Sequence, residues 1–331
     1  MFAVYAERFS DDDPLSGLVV GERPDPGESA ASGAGALPDG WTTVTVKAAS
    51  LNHHDLWSLR GVGLKEEQLP MILGCDAAGI DEDGNDVLIH AVISDPGWRG
   101  DETEDPRRSL LSERFQGTFA DRVAVPRSNL VPKPASLSFE EAACLPTAWL
   151  TAYRMLYVQG GLKPGQSVLV QGAGGGVATA LITLARAGGL QVFATSRDEA
   201  KRARALEVGA HASFETGARL PERVDAVMET VGAATWNHSL RSLRPGGVVV
   251  ISGATSGPNP DSTELNRIFF LQLRVIGSTM GTSTELGRLV SFLDATGTKP
   301  LIDRTLPMSE ARDGFAAMHA GEVFGKIVFS R

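Results

Sequence analysis

Apolar positions change their spacing along this chain. Up to about residue 135 they fall in short continuous or alternating runs, Val19–Val20, Thr43–Ala48, Val87–Val92 and Phe119–Val125, each cut off by Gly, Pro or Asp. Short runs bounded by turn formers predict a β-rich segment. From Ser138 the spacing becomes helical: FEEAACLPTAWLTAYRMLYV sets small and apolar residues a turn apart, with Pro146 marking a break or kink. Buried-type strands then alternate with helices. Val168–Val170, Gln191–Ala194, Asp225–Glu229, Val248–Ser252 and Leu273–Ser278 read as strands, and Trp236–Leu243 as one of the helices. Such alternation predicts an α/β unit with a parallel, doubly wound sheet, whose ligands sit at the carboxyl ends of the strands.

The closing segment carries helices at Thr284–Thr296 and Ser309–Ala320, the second with Ser309 as N-cap, and a strand at Gly325–Phe329. Spacing alone leaves open whether this tail extends the α/β block or returns to the front. Pro24–Gly40, rich in Gly, Ala, Ser and Pro, reads as a loop. Ser94–Gln116 reads as a solvated charged loop with a short helix at Ser109–Phe115.

Composition narrows the class. The 331 residues are 42% hydrophobic and 21% charged, enough for two domains, and hold no apolar run long enough to span a bilayer. The opening MFAVYAERFSDDDP lacks a basic start followed by an apolar core, so no signal peptide is expected. Net charge is −9, which argues against nucleic acid as a partner. The two cysteines, Cys75 and Cys144, exclude a disulfide framework or a four-cysteine zinc lobe and fit a reducing cytoplasm. These features leave a cytoplasmic protein with a small-molecule partner and no membrane or nucleic-acid role.

The strand Val168–Val170 runs into Gly172, Gly174, Gly175, Gly176 and Val177, then into a helix, then into a second strand. The spacing reads Gly172-x-x-Gly175-x-x-Ala178, with Ala178 where the helix must pack closely. Alone, such a pattern is as readily a bare turn; the strand–turn–helix–strand order makes it a dinucleotide site. Glycines let the backbone approach a pyrophosphate, and a helix N-terminus offers it unpaired N–H groups. An NAD site usually ends its second strand in Asp or Glu. Here that strand ends Thr195-Ser196-Arg197, with Lys201 one turn on and no carboxylate before Asp198. A hydroxyl and a guanidinium suit a 2′-phosphate, so the expected cofactor is NADPH rather than NADH. The plain alternative is that Arg197 and Lys201 are solvated charges at a helix start.

Over nearly its whole length the chain resembles the medium-chain dehydrogenase/reductase superfamily, nearest its zinc-independent quinone oxidoreductase-like branch. Five stretches carry the resemblance: SLNHHDL (50–56), PMILGCDAAG (70–79), the helix Leu145–Tyr153 ending Thr-Ala-Tyr, the glycine turn, and the closing Gly-Lys-Ile-Val at 325–328. It implies a GroES-like catalytic domain over residues 1–135 and 280–331, a Rossmann NADP-binding domain inserted over 136–279, and an active site in the cleft. It also implies cofactor contacts at Thr151, Thr230, Val231, Ser252, Gly253, Ala254 and Lys326, with Ser278, Thr279 and Met280 near the nicotinamide. A homodimer through the last Rossmann strand is a further implication.

In the family's zinc alcohol dehydrogenases the ligands are a Cys, a His-Glu pair and a later Cys. The matching positions here are Asn52, Cys75-Asp76 and Thr147. Zinc prefers thiolate, imidazole and carboxylate, so no metal is expected. A site built from His53, His54, Cys75 and Asp76 is the alternative. Without a Lewis acid, reducing a quinone or an α,β-unsaturated carbonyl is easier to rationalise than oxidising an alcohol. Candidate donors to the developing oxyanion are Asn52, His53 and His54; a histidine can also return a proton to the product. Asn52 and Asp55 serve equally well as loop caps. A zinc-type alcohol dehydrogenase with atypical ligands and a family member that binds nucleotide without turnover are the competing readings.

Overall fold

The computed structural model describes residues 1–26 and 37–331. Most of the expected Pro24–Gly40 loop lies outside them. Two units emerge, one of residues 1–147, 281–294 and 302–331, the other of 148–280 and 295–301.

In the first unit the alternating Trp41–Ser50 segment is the longest strand, pairing antiparallel with Asp76–Asp81, Arg122–Pro126 and Lys326–Ser330. Ile302–Pro307 adds parallel to Lys326–Ser330, so the tail returns to the front sheet. Six of the seven strands run in the order Leu130–Pro132, Asp86–Ile89, Asp76–Asp81, Trp41–Ser50, Lys326–Ser330, Ile302–Pro307, and Arg122–Pro126 pairs off this path with the first half of Trp41–Ser50. Every second residue of Trp41–Val46 faces the core, which holds the aromatic trio Phe119, Phe315 and Phe329. The Phe329 ring stands edge-on to Phe119 at 5.2 Å and stacks on Phe315 at 6.3 Å. Phe2–Ala6 is a strand that the apolar pattern did not reveal; it sits between Leu18–Glu22 and Met71–Ile72.

Two local expectations are corrected. Ser109–Phe115 is not helical: Ser109–Leu110 pairs with Val92–Ile93, and Ser112 adopts a left-handed φ of 66° that ends any helical path. Ser309 is not the N-cap. It lies inside a 3-10 turn, Met308–Glu310, and the helix runs Ala311–His319. Pro146 does mark a break: the helix Phe139–Ala143 ends at its C-cap Cys144, Leu145–Trp149 forms a π-turn, and α-helix resumes at Leu150.

The second unit is a six-stranded parallel sheet in the order Ala212–Phe214, Gln191–Thr195, Ser167–Val170, Val224–Glu229, Leu243–Ile251, Arg274–Gly277. Strand order reverses between Ser167–Val170 and Val224–Glu229, and a doubly wound sheet binds ligands at that switch point. All four residues of Ser167–Val170 are buried, as a strand covered on both faces must be. Ala178 is buried in the helix Gly176–Ala187 that follows the glycine turn. Among the described residues no helix is long and apolar enough to cross a membrane.

Candidate functional site

Gly172 holds φ at 73° and Gly174 at 140°, conformations that few side-chain-bearing residues adopt. A Cβ on Gly172 would meet Val231 Cγ2 at 2.6 Å, and one on Gly174 would meet Lys201 Cδ at 2.9 Å. The turn is therefore flanked by the Thr230–Val231 corner on one side and by the Lys201 stem on the other. Gly175 is the exposed N-cap of the helix Gly176–Ala187, and a Cβ there would meet no atom within 4 Å. This open ledge with backbone N–H groups behind it suits a pyrophosphate. Val177 lies in the first turn of that helix, half-buried.

The end of the second strand divides in two. The Thr195 hydroxyl points inward, donating to Gln171 Oε1 at 2.5 Å, and the residue is fully buried. Ser196 Oγ accepts from Asp198 N at 3.2 Å. Only Arg197 projects into solvent. The Thr195 hydroxyl, one of the two that the sequence pairs with a 2′-phosphate, thus braces the turn instead. Arg202, which the sequence did not single out, folds back to donate to the carbonyls of Ser196 and Arg197 at 2.9 and 3.1 Å.

The other expected contacts in this unit cluster at strand ends. Ser252 N donates to Glu229 O at 3.0 Å and Ser256 N to Val231 O at 2.7 Å, so the Ser252–Gly253–Ala254 loop hangs on the Thr230–Val231 corner. Ser252 Oγ lies 3.0 Å from Met155 Sδ. Ser278 Oγ is buried with no hydrogen-bond partner among the described residues, next to exposed Thr279 and to Met280 at φ 49°. Thr151 is buried within its helix. Gln171 and Glu229, both fully buried, were missed: a polar residue inside an apolar strand gives no periodic signal.

In the first unit, Asn52 caps the short helix His53–Ser58. Its amide is engaged on both sides: Nδ2 donates to Asp76 Oδ2 at 2.8 Å, and Oδ1 accepts from Lys326 Nζ at 2.6 Å. Lys326 also donates to Leu51 O at 2.8 Å and lies 3.5 Å from Asp76. It is 2% exposed, so the residue expected to reach the cofactor is enclosed in its own unit. Asp76 accepts further from Ser50 at 2.9 Å and from Thr147 at 2.5 Å.

His54 is held between Cys75, with Nδ1 3.4 Å from Sγ, and Glu113, with Nε2 3.1 Å from Oε1. Burial opposes its protonation, but the Cys75 sulfur and the Glu113 carboxylate override that and leave its pKa well above the usual histidine value. Burial pushes the Cys75 thiol up, and the thiol donates to Leu111 O at 3.2 Å. Asp55, buried and receiving N–H bonds from Asn52 and Gly74, is pushed up to about 6 by burial. His53 is the more exposed residue of the pair, yet burial of its imidazole by neighbouring protein, and after it the Lys326 ammonium, lowers its pKa.

Zinc does not fit the positions where the family would bind it. Asn52 and Thr147 direct their polar atoms at Lys326 and Asp76, and an ammonium already neighbours the one carboxylate. Donor atoms of His54, Asp55 and Cys75 lie within 4.8 Å of one another. Each is engaged internally, however, and a thiol with a raised pKa is a poor ligand until it loses its proton.

Two family models match: an alcohol dehydrogenase GroES-like domain over residues 38–135 and a zinc-binding dehydrogenase over residues 176–295. A zinc-type alcohol dehydrogenase-like protein of Leptosphaeria maculans is 31% identical, covering 86% of this chain and 89% of that one. A quinone oxidoreductase of Mus musculus is 26% identical, covering 86% and 87%. A crystal structure of an NAD-dependent alcohol dehydrogenase superposes with a TM-score of 0.88 at 31% identity, covering 100% of both chains.

Proposed function

We propose that this chain, which belongs to the medium-chain dehydrogenase/reductase superfamily of oxidoreductases, binds NADPH and reduces a quinone or an α,β-unsaturated carbonyl without zinc. The observation that carries the cofactor is the glycine ledge flanked by Lys201 and by exposed Arg197, with no carboxylate at the end of the second strand. Gly174, Gly175 and the first N–H groups of the following helix hold the pyrophosphate, and Arg197 with Lys201 the 2′-phosphate. Ser278 Oγ, buried without a hydrogen-bond partner among the described residues, and the Ser252–Ala254 loop face the nicotinamide half. When bound, the nicotinamide supplies a hydride.

The substrate class follows from the donors. The family zinc positions hold a Lys326–Asn52–Asp76–Thr147 hydrogen-bond network, which offers no Lewis acid to acidify an alcohol. A conjugated carbonyl or quinone needs only a hydrogen-bond donor for its oxyanion and a proton afterwards. His53 is the more exposed residue and takes that role, whereas Asn52 and His54 are engaged internally. The quinone oxidoreductase relative supports the same substrate class.

A panel of quinones, enones, aldehydes and alcohols read by NADPH absorbance tests the proposal. Turnover of quinones or enones by protein that contains no zinc supports it. Alcohol oxidation that tracks stoichiometric zinc would replace it with the zinc-type reading, and saturable NADPH binding without any turnover with a non-catalytic one.

The assembly we propose is a homodimer through the last strand of the parallel sheet. Arg274–Gly277 is the open edge of that sheet, with Val275 44% exposed. Phe269 and Phe270 on the preceding helix are 68% and 78% exposed, more apolar surface than an isolated edge normally shows.

A further inference from the structure

We infer that Glu229 and Gln171 are positioning residues for the nucleotide, joined in one buried hydrogen-bond chain that sets the relative placement of the loops around it; this rests on the nucleotide-binding reading above. The chain begins at the glycine turn. Gly172 N donates to Thr195 Oγ1 at 3.4 Å and Ala173 N to Thr195 O at 2.7 Å. Thr195 donates to Gln171 Oε1 at 2.5 Å, and Gln171 Nε2 donates to Ser239 Oγ at 2.9 Å. Ser239 donates to Glu229 Oε2 at 2.6 Å, and Glu229 Oε1 accepts from Val231 N at 2.7 Å and Gly232 N at 3.0 Å.

The four side chains Thr195, Gln171, Ser239 and Glu229 are buried and each has its partner, so the arrangement is rigid; a half-satisfied network would cost stability instead. Glu229 also accepts from Thr235 Oγ1 at 2.9 Å to Oε1 and 2.8 Å to Oε2, and it sits at the N-terminus of the helix Ala233–Ser242, where a carboxylate is favoured. Its grip fixes Gly232 at φ 92°, where a Cβ would meet Gly257 O at 2.6 Å. The Ser252–Gly257 loop hangs on this same corner, and Val231 abuts Gly172. One chain of side chains therefore spans the ends of three adjacent strands and holds the pyrophosphate turn, the Thr230–Val231 corner and the loop beyond it in register. Such preorganisation lowers the cost of ordering these loops on binding.

The test measures the Kd for NADPH by fluorescence titration, and the Tm without nucleotide, for wild type, Glu229→Ala, Gln171→Met, the double variant and Glu229→Gln. Each of the first two raises Kd at least about tenfold while the protein stays folded at the assay temperature. The double variant binds no worse than the weaker single one, because both cut the same chain. Glu229→Gln recovers most of the affinity: its amide oxygen still accepts from both N–H groups, and the Ser239 and Thr235 hydroxyls can turn to accept from its NH2. A lowered Tm with unchanged Kd, or multiplied effects in the double variant, overturns the inference. Should Glu229→Ala fail to fold, Gln171→Met and Glu229→Gln decide it by the same criteria. Wild-type protein that binds neither NADPH nor NADH overturns the nucleotide reading itself, a different result from a variant that binds as well as wild type.

Discussion

Lys326 Nζ donates to Asn52 Oδ1 at 2.6 Å across a separation of 274 residues, and both side chains turn on Asp76. Removing the cation leaves a buried carboxylate with hydroxyl and amide partners alone. Lys326→Met lowers unfolding free energy by about 3–5 kcal/mol, as broken buried pairs do. Urea denaturation followed by circular dichroism measures it, and a loss below about 1 kcal/mol contradicts the assigned geometry.

Arg197→Asp shifts cofactor preference toward NADH. The exposed guanidinium favours a 2′-phosphate, and a carboxylate there repels it while accepting from ribose hydroxyls. The ratio of Kd values for NADPH and NADH reads the change; an unaltered ratio removes Arg197 from the site.

Asp55 makes stability depend on pH in a direction opposite to most carboxylates. Its folded pKa of about 6 exceeds the ordinary 3.8, so between those values the folded state binds more protons than the unfolded one. Stability from this group is present below the lower value and is lost as pH rises through the upper, a change on the order of 3 kcal/mol. Glu113 and Asp225 have lowered values and work the other way, losing their contribution as pH falls through their folded pKa. Denaturation of wild type and Asp55→Asn at pH 4, 5, 6 and 7 isolates the Asp55 part: the variant's stability relative to wild type rises across that range.

Phe329→Ala opens a cavity among Phe119, Phe315 and the Ala311–His319 helix. Its ring is 0% exposed, and a Cβ on Gly314 would meet it at 2.7 Å, which shows how closely the helix packs. A loss of about 3–5 kcal/mol follows for a buried Phe, and a Tm drop of only a degree would argue against that packing.

Phe269→Asp with Phe270→Asp produces monomer if the exposed sheet edge is the dimer contact. Sedimentation velocity at micromolar concentration distinguishes the species, and an unchanged dimer places the contact elsewhere.

The parallel sheet and its glycine turn were legible because their signals are local: unbroken apolar runs such as Val168–Val170 and the spacing of Gly172, Gly175 and Ala178. The roles of Thr195 and Lys326 were not, because each depends on what lies across the fold, Gln171 for one and Asn52 with Asp76 for the other. Glu229 and Gln171 stood among apolar neighbours, where a polar residue looks like an interruption of the pattern. Ser112 shows a different limit: a left-handed residue replaces the regular element that propensity favours.

The strand Lys326–Ser330 lies between Trp41–Ser50 and Ile302–Pro307 in the front sheet. During synthesis the parallel sheet has all its strands once residue 277 has emerged, whereas the front sheet keeps an open seam beside Trp41–Ser50 until residues 326–330 follow. Units fold as their residues become available. The part that appears first in the chain is thus the last to be completed, and the Ala48–Ser50 end of the Trp41–Ser50 strand, which only Lys326–Ser330 covers on that side, is the surface on which a chaperone or an aggregating neighbour would act in the interval.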